Sequence, residues 1–141
     1  MAITQAFCTS ALAELLGGVH DLDTDTIKVA LYTSSATLGA STTAYSTTNE
    51  VVGTGYTAGG VTLTGAVVSL DGTTAIADFD DPTWADATIT ARGALLYNAS
   101  KSNKALAVLD FGADKTSTDG NFTVILPAPA AATAVVRLVA A

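Results

Sequence analysis

The chain has 141 residues, 49% of them hydrophobic and only 13% charged, and six lysines and arginines against thirteen aspartates and glutamates give a formal charge of -7. That length suits one domain, and the scattered Lys28, Arg92, Lys101, Lys104, Lys115 and Arg137 form no cationic cluster able to release counterions from a phosphate backbone, which argues against a nucleic-acid partner. No apolar run approaches the roughly 18 residues of a membrane span, and the start Met-Ala-Ile-Thr-Gln lacks the basic and apolar regions of a secretory signal, so neither membrane nor secretory route is expected.

In chain order, Ile3, Phe7, Leu12, Leu15 and Leu16 recur at spacings compatible with one helical face. They predict an N-terminal helical segment within residues 1–18, capped by Thr4 and stopped by Gly17-Gly18. Cys8, the single cysteine, can form no intrachain disulfide. With no cation or histidine beside it, it reads as a small buried hydrophobe. Residues 26–33 alternate Ile27, Val29 and Leu31 against Lys28, Ala30 and Tyr32, which predicts a strand.

Residues 34–60 follow as a long Ser, Thr, Gly and Ala segment whose sizeable apolar anchors include Tyr45, Val51, Val52 and Tyr56. Loops of that length inside compact domains usually carry function or meet a partner, so this one is expected to be a contact loop. Residues 60–70 and 73–79 flank Asp71-Gly72, a dipeptide suited to a tight turn, and predict a hairpin. Segments 88–97, 105–111, 121–126 and 133–139 read as further strands. The expectation is one mainly β domain over residues 1–141, an antiparallel β-sandwich or barrel of about seven strands with one N-terminal α-helix.

Residues able to carry chemistry are few. His20, the only histidine, follows the helix stop beside Asp21, and no Gly-x-Ser-x-Gly elbow accompanies it, so it reads as an exposed loop histidine and not a catalytic base. Asp21, Asp23 and Asp25 have the alternate spacing that opens a calcium loop, but the sixth position is Thr26 where glycine is needed and the twelfth is Tyr32 in place of a bidentate glutamate. With the second acidic cluster, Asp78, Asp80 and Asp81, these read as solvated strand ends, and no metal is assigned. Gly53-Thr-Gly55-Tyr-Thr-Ala58 fits a relaxed dinucleotide fingerprint but leads into a strand where a helix N-terminus is required, so no cofactor is expected. Asn98-Ala99-Ser100 matches the glycosylation pattern and carries no weight without a secretory route. Tyr45, Tyr56 and Trp84 are the candidate protein-interface residues, because aromatic side chains bury much area at small entropic cost. For Trp84 the alternative is a plug at one end of the sandwich.

Several stretches resemble a family of small virion structural proteins of tailed bacteriophages, of the capsid-decoration or cement type. They are Ile27-Lys-Val-Ala-Leu-Tyr-Thr-Ser34, Thr43-Ala-Tyr45 with Asn49-Glu50-Val51, Gly53 through Gly60, Ala91-Arg92-Gly93-Ala94-Leu95-Leu96-Tyr97-Asn98, and Ala107-Val108-Leu109-Asp110-Phe111-Gly112. The resemblance implies a non-enzymatic protein on the capsid exterior, often a trimer at local three-fold positions, whose partner is the major capsid protein. On that view Tyr56→Ala or Trp84→Ala is expected to weaken capsid binding and spare the isolated fold. The competing expectations are a tail, neck or fibre-base adaptor, a carbohydrate-binding β-sandwich module with Trp84 and the tyrosines on one open face, and a hydrolase built on His20 or a carboxylate.

Overall fold

The computed structural model describes residues 2–140; Met1 and Ala141, the two ends of the expected 1–141 domain, lie outside the described residues. The helix is shorter than its sequence pattern suggests. Residues Ala6–Phe7 are a short strand, β1, and the helix α1 occupies only Thr9–Leu16, with Cys8 at its N-cap and no side-chain cap. Thr4 therefore caps nothing: its backbone N–H donates to the Leu38 carbonyl instead. Extended pairing wins here because Ala6 and Phe7 find open partners in Val108 and Ala107, whereas a helix begun at residue 4 would leave that edge uncovered.

The remaining strands are β2 (Ile27–Tyr32), β3 (Val61–Thr62), β4 (Val67–Asp71), β5 (Thr74–Asp78), β6 (Thr83–Asn98), β7 (Lys104–Thr123) and β8 (Val136–Val139). They form two antiparallel sheets, one of five strands in the order β1-β7-β6-β2-β3 and one of three in the order β4-β5-β8. The fold is thus mainly β and β-sandwich-like, with one short helix, as the alternation predicted. The expected strand 105–111 and the first half of the expected strand 121–126 are parts of one hairpin partner: residues 104–123 run as a single strand beside β6, Thr83 at one end of that hairpin still pairs with Thr123, and residues 124–126 lie outside any strand. The ladder bends where residues 111–114 oppose the single residue Arg92, whose guanidinium lies 3.9 Å from Asp110 and 3.6 Å from Asp114. The segment 60–70 splits in the opposite sense, its first part joining β2 as β3 and its second forming β4 in the other sheet.

The predicted tight turn is present one residue later. Asp71 pairs with Thr74, so Gly72 and Thr73 make the turn, and Gly72 supplies the positive φ of 61°. The core sits on the inner halves of β2, β6 and β7, where Val29, Leu31, Leu95, Leu96, Leu106 and Val108 are buried. These three strands alternate less cleanly than a one-sided sheet because both faces are covered. Ala77, Phe79 and Val136 bring the small sheet into the same core.

Candidate functional site

The 34–60 loop contains no named strand yet is fastened throughout to the sheet beneath it. Its centre is Glu50, 7% exposed and the only charged residue between Lys28 and Asp71. One carboxylate oxygen accepts hydrogen bonds from the Tyr56 hydroxyl at 2.6 Å and the Gly59 N–H at 2.7 Å, and the other accepts from the Tyr45 hydroxyl at 2.7 Å. A carboxyl group withdrawn from water needs such donors to offset lost hydration. The remaining tyrosines complete the fastening: Tyr32 donates to the Ser46 carbonyl at 2.6 Å, and Tyr97 donates to the Gly59 carbonyl at 2.6 Å while stacking on Tyr45 with ring centroids 4.7 Å apart. The Tyr56 hydroxyl also accepts the Leu31 backbone N–H at 2.9 Å, so the loop closes onto β2 itself.

Burial raises the pKa of all four tyrosines above the ordinary value of 10.0, and the Glu50 carboxylate adds to the shift at each of them. At the end of the loop, Gly60 lies so close to β2 that any Cβ would overlap the Val29 carbonyl, and it takes a φ of 75°. The fingerprint-like stretch 53–58 rests against β6 through a Thr54–Thr88 bridge and leads to no helix.

The three expected interface residues therefore face inward. Tyr45 and Tyr56 are half-buried in the Glu50 network, and Trp84 is 3% exposed, packed between Tyr56, 6.0 Å away, and Phe122, 6.2 Å away. Trp84 plugs the hairpin end of the core, and its Nε1 has no hydrogen-bond partner. An indole already buried in its own chain has almost no surface to give a partner, and no open aromatic face for stacking a sugar ring is formed by these side chains. What the loop turns outward is Ser34, Ser35, Thr37, Ser41, Thr43, Ser46, Thr47, Thr48 and Asn49, with Val52, 93% exposed, as its apolar prominence.

His20 is not the exposed loop residue its neighbours suggested. It is 7% exposed, with Nε2 3.1 Å from Glu14 Oε1 and Nδ1 accepting from the Asn98 side-chain amide at 3.0 Å. The Ser100 N–H donates to Asn98 Oδ1 at 3.0 Å, which fixes the amide's orientation and leaves Nε2 to carry the ring proton toward Glu14. Asn98 also donates to Asp25 at 2.7 Å, and Lys104 lies 3.2 Å from Glu14. Desolvation pushes Glu14 upward, but the hydrogen bonds from His20 and Lys104 prevail and hold it below the usual carboxylate value. Both imidazole nitrogens are thus committed to tying α1 and the 18–26 loop to the β6–β7 turn.

Asp25 accepts the Asp21 N–H in the same network, and among the described residues no three metal-ligating side chains converge. Asn98 is fully buried, out of reach of any glycosyl donor. Cys8 is fully buried, and burial pushes its thiol up to about 11. Among the described residues no helix is long and apolar enough to cross a membrane. Comparison with protein-family models, with curated proteins and with solved structures gives no match.

Proposed function

We propose that this chain is a non-enzymatic virion structural protein of the capsid-decoration or cement type, binding the outer capsid surface with the major capsid protein as its partner and acting as a homotrimer. The observation that carries this reading is the 34–60 loop: its tyrosines and only carboxylate are spent holding it rigid, and the face it turns outward is an uncharged surface of small hydroxyl, amide and alanine groups. Such a face costs little to desolvate, allows close approach of another backbone, and loses little entropy on docking because it is already ordered. The sequence resemblance to phage virion proteins supports the same conclusion.

Mechanistically, each trimer bridges neighbouring capsid subunits through contacts available in the expanded lattice, and raises the free energy needed to separate them under internal pressure. Modest affinity suffices where many sites act together. The test is the copy number of this chain relative to the major capsid protein in purified virions. A ratio near one to one is expected; about a dozen copies would move the protein to the tail or neck, and absence from virions would overturn the structural role.

A further inference from the structure

The three-stranded sheet ends in an unprotected edge. Because Asp71 and Thr74 flank the two-residue turn, the main-chain groups of Asp71, Ser69 and Val67 point toward β5, and those of Val68 and Leu70 point away from the sheet. Among the described residues no strand pairs with β4 on that side. Soluble proteins normally blunt such an edge with a charge, a proline or a bulge. The Val-Val-Ser-Leu stretch of β4 has none, its register with β5 runs without a shift, and Leu70 is 73% exposed.

The side chains of Val68 and Leu70 share one face of the sheet with Ala75, Ala77, Val136 and Leu138. Val68, Ala75, Ala77, Val136 and Leu138 of that face line a groove of about 420 Å³ whose opposite wall includes Leu15, His20, Asp21, Leu22 and Asp23. Asp21 and Asp23 lie close together on that wall, and among the described residues neither is engaged in an ion pair. The groove is therefore apolar along its strand wall and negatively charged, without a counter-cation, along the other.

We propose that β4 and this groove form a strand-addition site for an extended partner segment that alternates apolar side chains and carries a basic residue at the end lying against Asp21 and Asp23. Main-chain bonds to Val68 and Leu70 supply the pairing, alternate side chains fill the groove, and the carboxylate pair selects charge. A second copy of the chain fits less well. Antiparallel pairing of two five-residue β4 strands covers far less than the roughly 1,200–2,000 Å² of a stable interface. It would also leave the Asp21 and Asp23 carboxylates of both copies without a cationic partner. The site shares no residue with the 34–60 loop and does not depend on the virion reading.

The probes are a short blocked peptide of alternating valine and threonine ended by arginines, and its counterpart ended by glutamates, titrated into the full chain with amide NMR and hydrogen exchange as readouts. The arginine peptide is expected to bind about tenfold or more tightly than the glutamate one and to slow exchange at Val68 and Leu70. Leu70→Pro removes an outward-facing donor and no β5 partner, so it is expected to abolish binding while the β5 amide signals persist. Asp21→Asn with Asp23→Asn is expected to equalise the two peptides, and decides alone if Leu70→Pro loses the sheet. No binding, equal binding of both peptides to the unaltered chain, or concentration-dependent self-association that Leu70→Pro removes would each overturn the proposal, the last by giving the edge to a second copy.

Discussion

Glu50 holds three donors that come from three separated points of the loop, so its replacement tests whether one side chain organises the segment. Glu50→Gln keeps the shape but turns one acceptor into an NH₂ group facing a donor. The expected loss is about 1–3 kcal/mol, the cost of buried polar groups left unsatisfied. It is read as a lowered thermal midpoint, and an unchanged midpoint would mean that the loop is held by packing alone. The tyrosines give a second test at the same scale. Their pKa values are raised chiefly by burial. In the unfolded chain they ionise near the ordinary 10.0, so the folded state retains protons that the unfolded state has released. Their stabilising contribution is complete below about pH 10 and is lost as the pH rises toward the folded values. Alkaline titration is expected to show tyrosinate absorbance and loss of β circular dichroism in one shared transition. Tyrosine ionisation completed with the sheet signal intact would contradict the network. Glu50 was legible in the sequence only as an isolated charge in an otherwise uncharged stretch, a signal of burial that spacing alone does not interpret.

At the scale of elements, Trp84 at the start of β6 joins the long hairpin to the loop through Tyr56 and to β7 through Phe122. Trp84→Ala is accordingly expected to cost about 3–5 kcal/mol in chemical denaturation, the range for a large aromatic removed from a core. This reverses the expectation that the isolated fold would be spared, and a native-like denaturation midpoint would restore it. Two glycines separate conformational strain from collision. Gly72→Ala meets open space but a φ of 61°, and is expected to cost about 1–2 kcal/mol. Gly60→Ala adds the clash with Val29 to a similar φ, and is expected to yield far less folded protein in the same preparation. Equal behaviour of the two variants would show that β2 yields at that point.

Across the whole molecule, burial is uneven. The inner halves of β2, β6 and β7 are covered on both faces, whereas every residue of β4 is exposed. Native-state hydrogen exchange is therefore expected to be slowest at Leu31, Leu95 and Val108, and fastest among strand amides at the outward-facing Val68 and Leu70. Uniform protection would mean that the small sheet unfolds only with the rest. The same unevenness places the two proposed contact surfaces differently: the 34–60 face is rigid and polar, the β4 edge apolar and open.

The sequence alone determined the β class, the strand at Ile27–Tyr32, the hairpin about Gly72 and the scarcity of charge, because alternation, turn chemistry and composition are local properties. It could not place the helix start, since β1 forms only by pairing with Val108 and Ala107 on a strand about a hundred residues away in the chain. It could not show that residues 104–123 continue as one strand, because polar residues suffice where the partner strand supplies the ladder. Nor could it turn Tyr45, Tyr56, Trp84 and His20 inward. An aromatic or imidazole side chain suits an interface and a core equally well, and only the position of Glu50, Phe122, Glu14 and Asn98 in space decides between them.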